Sequence, residues 1–142
     1  MAILYADGSD GAVIDAVAKA VTGAGARAVF VSPRVGGAKL ADGSVRKADG
    51  QLQGMPSQLF DAVALVLTDA GTADLLGDSA AVEFVMNAFG HLKAIGASDA
   101  AKPLLDKAGV VPDAGITGLG KDFVGAAAKR FYDREPALRR LA

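Results

Sequence analysis

The sequence predicts an α/β domain, a three-layer α/β/α sandwich of flavodoxin type with a mostly parallel sheet. Three observations carry that reading. Short apolar runs closed by turn residues recur along the chain, as buried strands do. Amphipathic segments with helical spacing lie between them. The order strand, helix, strand is that of β-α-β units, whose parallel strands are joined by right-handed crossovers. At 142 residues, 51% of them hydrophobic but only 6% aromatic, the chain fits one domain, residues 1–142, with a core of small branched side chains.

The elements follow in order. Ala2-Ile3-Leu4-Tyr5-Ala6 reads as a buried strand closed by Asp7-Gly8. Ser9 or Asp10 caps the next helix, which places Val13, Val17, Ala20 and Val21 inward and Asp15 and Lys19 outward. Gly23 and Gly25 end it, and Ala28-Val29-Phe30-Val31 forms a second buried strand, stopped by Pro33. Residues 39–46 predict a small surface hairpin about Asp42-Gly43. Pro56-Ser57-Gln58-Leu59 predicts one helical turn, and Ala62-Val63-Ala64-Leu65-Val66-Leu67 the central strand. Val82, Val85, Met86 and Phe89 mark a helix, followed by a strand over 94–97 and a helix through Leu104 and Leu105. Val110-Val111 and Gly115-Ile116 read as two brief strands. A last helix carries Phe123, Ala127 and Phe131 inward, and the basic tail with Arg130, Arg134, Arg139 and Arg140 reads as its solvated end.

Composition excludes several function classes. There is no cysteine, hence no disulfide framework, thiolate metal site or thiol nucleophile, and a cytoplasmic setting is expected. A formal charge of −1 offers no field for nucleic acid, and the apolar runs are too short to span a membrane. Neither nucleic acid nor membrane is therefore an expected partner. Met1 leads at once into a core strand, which suits a domain that stands alone or one that belongs to a larger protein.

Ligands of open α/β sheets bind beyond the carboxyl ends of the strands, which here means residues 7–11, 68–71 and 98–101. The loop Asp7-Gly8-Ser9-Asp10-Gly11 resembles a phosphate cradle, but its two carboxylates have the wrong sign for a flavin or nucleotide phosphate. Gly115-Ile116-Thr117-Gly118-Leu119-Gly120-Lys121 matches GxxxxGK, yet Asp122 stands where a magnesium-binding hydroxyl is required. His91, the only histidine, suits a helix-end cap better than a metal site, which needs more ligands, or a catalytic triad. One pairing remains. Asp10 and Asp99, both after strands, could share a crevice and support acid–base work, or could each cap a helix.

The order of several short motifs resembles one family. Residues 2–8, Val31-Ser32-Pro33-Arg34, 41–45, 56–66 and Asn87-Ala88-Phe89-Gly90-His91-Leu92-Lys93-Ala94-Ile95 are similar to the C-terminal domain of large-subunit haem catalases. That domain has the flavodoxin-like fold of the ThiJ/PfpI and class I glutamine amidotransferase-like group. The resemblance implies a nucleophile position at Asp99, where active members carry a cysteine, and an acidic position at Asp10. It also puts Asp69 in the loop that replaces a Gly-Gly oxyanion hole, where its charge would repel an oxyanion. All three positions are degenerate for thiol chemistry, so the resemblance implies no catalytic residue, no metal and no cofactor on this chain.

What it does imply is an appendage to a catalase core that holds the haem and decomposes hydrogen peroxide under oxidative stress. The expected partners are that core and further copies in a homo-oligomer, which the domain stabilises. Unfolded client proteins are a further expected partner, through chaperone-like protection. The alternative is a stand-alone ThiJ/PfpI-like hydrolase or deglycase reworked around Asp10 and Asp99. A flavin or nucleotide binder is a third reading.

Overall fold

The structure, a computed structural model, describes residues 1–138. The described residues form eight strands: β1 (Ala2–Tyr5), β2 (Val29–Ser32), β3 (Ala38–Lys39), β4 (Val45–Arg46), β5 (Gly50–Gln51), β6 (Ala62–Val66), β7 (Ala94–Ala97) and β8 (Ile116–Thr117). The helices are α1 (Gly11–Gly23), α2 (Asp69–Leu75), α3 (Ser79–Gly90), α4 (Lys102–Lys107), α5 (Lys121–Ala127) and α6 (Glu135–Leu138). Six strands form one wholly parallel sheet in the order β5-β2-β1-β6-β7-β8. The predicted hairpin is the separate antiparallel pair β3-β4.

Alternation along the central strands explains the layers. Ala2, Leu4, Val63, Leu65 and Ile95 face one core, while Ile3, Tyr5, Ala62, Ala64, Val66 and Ala94 face the other. Both faces are covered, so these strands read as continuous apolar runs. On the second face β6 and β7 offer the small residues Ala62, Ala64, Ala94 and Gly96, and Phe123 of α5 lies directly over Gly96, where an added Cβ would come within 2.6 Å of its ring. The glycine is there because the helix sits that close.

Several inward stripes differ from the expected ones. In α1 the buried residues are Ile14, Val17 and Val21, with Ala20 exposed. In α3 they are Ala81, Phe84, Val85, Ala88 and Phe89, a helical i, i+3, i+4, i+7, i+8 pattern that leaves Met86 on the outside. Residues 68–71 are expected as a loop, but 69–75 form α2; the Thr68 side chain accepts from the Gly71 N–H at 3.2 Å and starts it. Its sequence is too small and polar to show helical periodicity. Val110-Val111 is not a strand, and Val111 is exposed.

The tail departs most. Helix α5 stops at Ala127, so Phe131 lies beyond it. Residues 131–134 then cross under the sheet, from the core that Phe131 packs against to the core that Leu138 joins. The Phe131 N–H donates to the Leu92 carbonyl at 2.9 Å. Arg134, expected in solvent, is buried with only 4% of its surface exposed. Arg139 and Arg140 lie outside the described residues.

Candidate functional site

The chain runs outward from β1 to β2 and β5, then returns to the other side of β1 with β6. The crevice at this reversal is where open α/β sheets bind ligands. Here it is largely filled by the protein's own hydrogen bonds. Ser9, fully buried, donates its hydroxyl to the Val66 carbonyl at 2.6 Å and accepts the Ala6 N–H at 3.0 Å. The Gly8 N–H donates to the Lys39 carbonyl at 2.8 Å, and the Ala41 N–H donates to the Ser9 carbonyl at 3.0 Å, so the hairpin docks on the first loop. Close to them, a Cβ on Gly71 would stand 3.3 Å from the Asp7 carbonyl.

The first loop's carboxylates are committed as well. Asp10 is the N-cap of α1, accepting from the N–H groups of Ala12 (2.8 Å) and Val13 (3.4 Å). Asp7 accepts the Lys39 N–H at 2.9 Å and pairs with Arg34 at 2.6 Å. These two hydrogen bonds, the backbone one first, hold its carboxyl below the ordinary carboxylate value. A cleft of about 180 Å³ beside them is lined by Asp7, Arg34, Asp74, Leu75 and Asp78, among others. Three carboxylates against one guanidinium make it unfit for a phosphate.

Asp99 opens the 3-10 turn Asp99–Ala101 and is exposed. It lines an open cavity of about 380 Å³ between the ends of β7 and β8, with Ser98, Lys102 and Thr117; Asp10 is not in that wall. The backbone at Asp99 is unstrained, since Leu92 (φ 63°) is the one non-glycine residue with positive φ among the described residues. A nucleophile elbow is a sharp, strained strand-to-helix turn. The neighbouring Ser98 hydroxyl is also engaged, donating to the Leu67 carbonyl at 2.7 Å and accepting the Leu67 N–H at 3.1 Å. Asp69 is exposed in the first turn of α2. No hydrogen bond joins Asp10, Asp69 and Asp99 among the described residues.

The remaining sequence candidates fall elsewhere. His91 is the exposed C-cap of α3, at the end of the sheet opposite the crevice. The GxxxxGK run is interrupted by β8, so only residues 118–120 form its loop before α5. No cluster of three or more His, Asp or Glu able to hold a metal occurs among the described residues. No described helix is long and apolar enough to cross a membrane.

Sequence reasoning missed two buried cations at the amino ends of the strands. Lys93 is 6% exposed, and its ammonium donates to the carbonyls of Ser57 (3.0 Å), Gln58 (2.8 Å) and Phe60. Burial, then the nearby Arg130 charge, pushes its pKa down. Arg134 makes a two-pronged pair with Asp113, Nε to Oδ2 at 2.5 Å and Nη2 to Oδ1 at 3.0 Å. Its third nitrogen donates to the carbonyls of Lys93 (2.7 Å) and Phe89 (3.2 Å), and the guanidinium lies 4.5 Å from the Phe89 ring centre. Burial works to raise the Asp113 carboxyl, but hydrogen bonds from Arg134 and the Gly115 N–H outweigh it and hold that pKa down. Gly115 has to be glycine, since a Cβ would stand 2.3 Å from the guanidinium. Neither cation carries a local signal, because its partners lie 21 to 45 residues away.

Comparison with known proteins places this architecture. No protein-family model matches the chain. It is 38% identical to Catalase C of Rhizobium meliloti over 98% of its own length and 21% of that protein's. It is 32% identical to Catalase-1 of Neurospora crassa over 82% of this chain and 16% of that one. Catalase HPII of Pseudomonas putida matches at 32% over 67% of the chain and 13% of its own length. The chain thus spans about a fifth or less of the relatives it matches. Among solved structures, Drosophila melanogaster DJ-1beta superposes with a TM-score of 0.74 at 17% identity, covering 98% of this chain and 95% of that one. A protein of Anabaena variabilis with DJ-1/ThiJ/PfpI-like and ferritin-like domains gives 0.70 at 20%, over 79% of this chain and 34% of that one. The fold is therefore DJ-1/ThiJ/PfpI-like, and the sequence is similar to the flavodoxin-like C-terminal domain of catalases.

Proposed function

We propose that this chain is a non-catalytic domain of a large-subunit catalase and stabilises the assembled enzyme. The observation that carries the reading is the match of 98% of the chain to one fifth of Catalase C. The geometry supports it from the other side. A hydrolase would need a nucleophile and a base within hydrogen-bond reach of each other. Among the described residues the Asp99 side chain makes no hydrogen bond, Asp10 is spent on α1, and both serine hydroxyls near the crevice are engaged.

Haem belongs, on this reading, to the remaining four fifths of the protein. The described residues do not fit it: His91 is an exposed helix cap, and the Tyr5 hydroxyl donates to the Arg46 carbonyl at 2.9 Å from within the core. No step of peroxide chemistry is assigned to this chain. Its partners would be the catalase core and further copies in the oligomer, in the cytoplasm.

The test compares the full-length protein with one lacking residues 1–142. Loss of thermal tolerance and of oligomer on deletion, with peroxide turnover per remaining haem unchanged, is the expected result. An unchanged assembly would reject the stabilising role. Hydrolytic or deglycase activity of the chain that Asp99→Ala abolishes would favour the alternative enzyme instead. A chaperone-like role would draw on exposed Val35, Val45, Leu59, Val111 and Tyr132. Its check is suppression of aggregation of a heat-labile client at equimolar ratio.

A further inference from the structure

The amino ends of the strands differ from the crevice in what they expose. Leu59 (69% exposed) and Tyr132 (67%) both lie there, outside both cores. They flank an ion pair that joins the start of β6 to the tail. Arg130 donates to the carboxylate and the carbonyl of Asp61 at 3.3 Å, and Leu59 precedes Asp61 by two residues as Tyr132 follows Arg130 by two. The ground beneath is rigid, because Lys93 and Arg134 tie residues 57–60, 89–93 and 113 together.

Met1 is at the same end. It leads into β1, a central strand, and its amino group donates to the Arg27 carbonyl at 2.7 Å. Asp61 is close enough to raise that amine's pKa, against the larger lowering by burial. In a longer polypeptide, a chain joined ahead of residue 1 therefore enters at this end of the sheet, within electrostatic reach of Asp61. A tethered partner meets this patch at high effective concentration. The relatives carry about four fifths or more of their length outside the matched segment.

We propose that the patch formed by Leu59 and Tyr132 about Asp61–Arg130 is the surface on which this domain docks against its own catalase core. This rests on the function proposed above, and names the face. Leu59 and Tyr132 supply aliphatic and aromatic contact area for such an interface, and the Asp61–Arg130 pair between them supplies charge that the docked surface has to complement.

The experiment uses the full-length protein. Leu59→Asp with Tyr132→Asp is compared with Val35→Asp with Val45→Asp, which alters two equally exposed residues away from the patch. The first pair is expected to raise the rate of proteolytic release of the domain about tenfold, and the second to leave it unchanged. Equal effects, no effect of the first pair, or a larger effect of the second would overturn the docking face while leaving the stabilising role intact. If deletion of the whole domain changes nothing, the functional reading fails first. Since the chain has no cysteine, Tyr132→Cys supplies a single cross-linking handle on it. A cross-link to the core supports the proposal; one to another copy of this domain overturns it.

Discussion

The two ends of the sheet treat charge in opposite ways. At the carboxyl ends, Asp10, Asp69 and Asp99 are exposed and no hydrogen bond joins them among the described residues, and Asp10 does no more than cap a helix. At the amino ends, Lys93 and Arg134 are buried, and each is surrounded by acceptors from segments distant in sequence. A buried charge is tolerated only when it is paired and hydrogen-bonded. The crevice looks like the place for chemistry by fold analogy, yet the demanding electrostatics are at the other end, where they join the tail and the edge strand to the body.

That contrast can be broken most directly at Arg134. Arg134→Ala should cost about 3 kcal/mol, because it leaves the Lys93 and Phe89 carbonyls without their donor and Asp113 without its partner. Urea unfolding would measure it; a loss below about 1 kcal/mol would mean that the guanidinium is not structural. Lys93→Met keeps the length of the side chain but strips three carbonyls of their donor, with an expected cost of about 2 kcal/mol by the same measurement.

The pH dependence should sharpen the same picture. Asp113 has a lowered pKa in the folded state, so its contribution is present above the ordinary carboxylate value and lost as pH falls through the folded one. Lys93 is also lowered, from 10.5, so stability should rise as pH climbs from its folded value toward 10.5. Melting temperatures across pH should show both slopes, and Asp113→Asn should flatten the acid one. A curve unchanged by that substitution would remove Asp113 from the account.

The crevice should respond least. Asp10→Ala should lose about 1 kcal/mol, the usual worth of an N-cap. Asp99→Ala should fall within about 0.5 kcal/mol of the parent, as suits an exposed side chain that makes no hydrogen bond among the described residues. A large loss at Asp99, read by thermal melting, would show the two ends to be more alike than the geometry has them.

The fold was legible where its signals are local. Apolar runs of four to six residues mark β1, β2, β6 and β7, because a strand covered on both faces has no polar side to show. Asp10 before an apolar-periodic stretch marks the start of α1. Helix α2 was not legible, since Asp-Ala-Gly-Thr-Ala-Asp-Leu has neither periodicity nor strong propensity and owes its form to the Thr68 cap and its packing. At the candidate site the sequence placed Asp10, Asp69 and Asp99 on the loops beyond the strands. It could not say whether those loops converge.

Sequence alone thus determined the β-α-β order, the two-faced core and the absence of thiol chemistry. Residue type and short-range period suffice for each of these. The tertiary structure decided which charges are buried. Arg134 and Lys93 read as ordinary surface cations in any local window, and their burial becomes affordable only when acceptors 21 to 45 residues away arrive at hydrogen-bond distance. It likewise decided that Asp99 lines a cavity of which Asp10 is no part, because the distance between two loops is set by the packing of the strands that carry them.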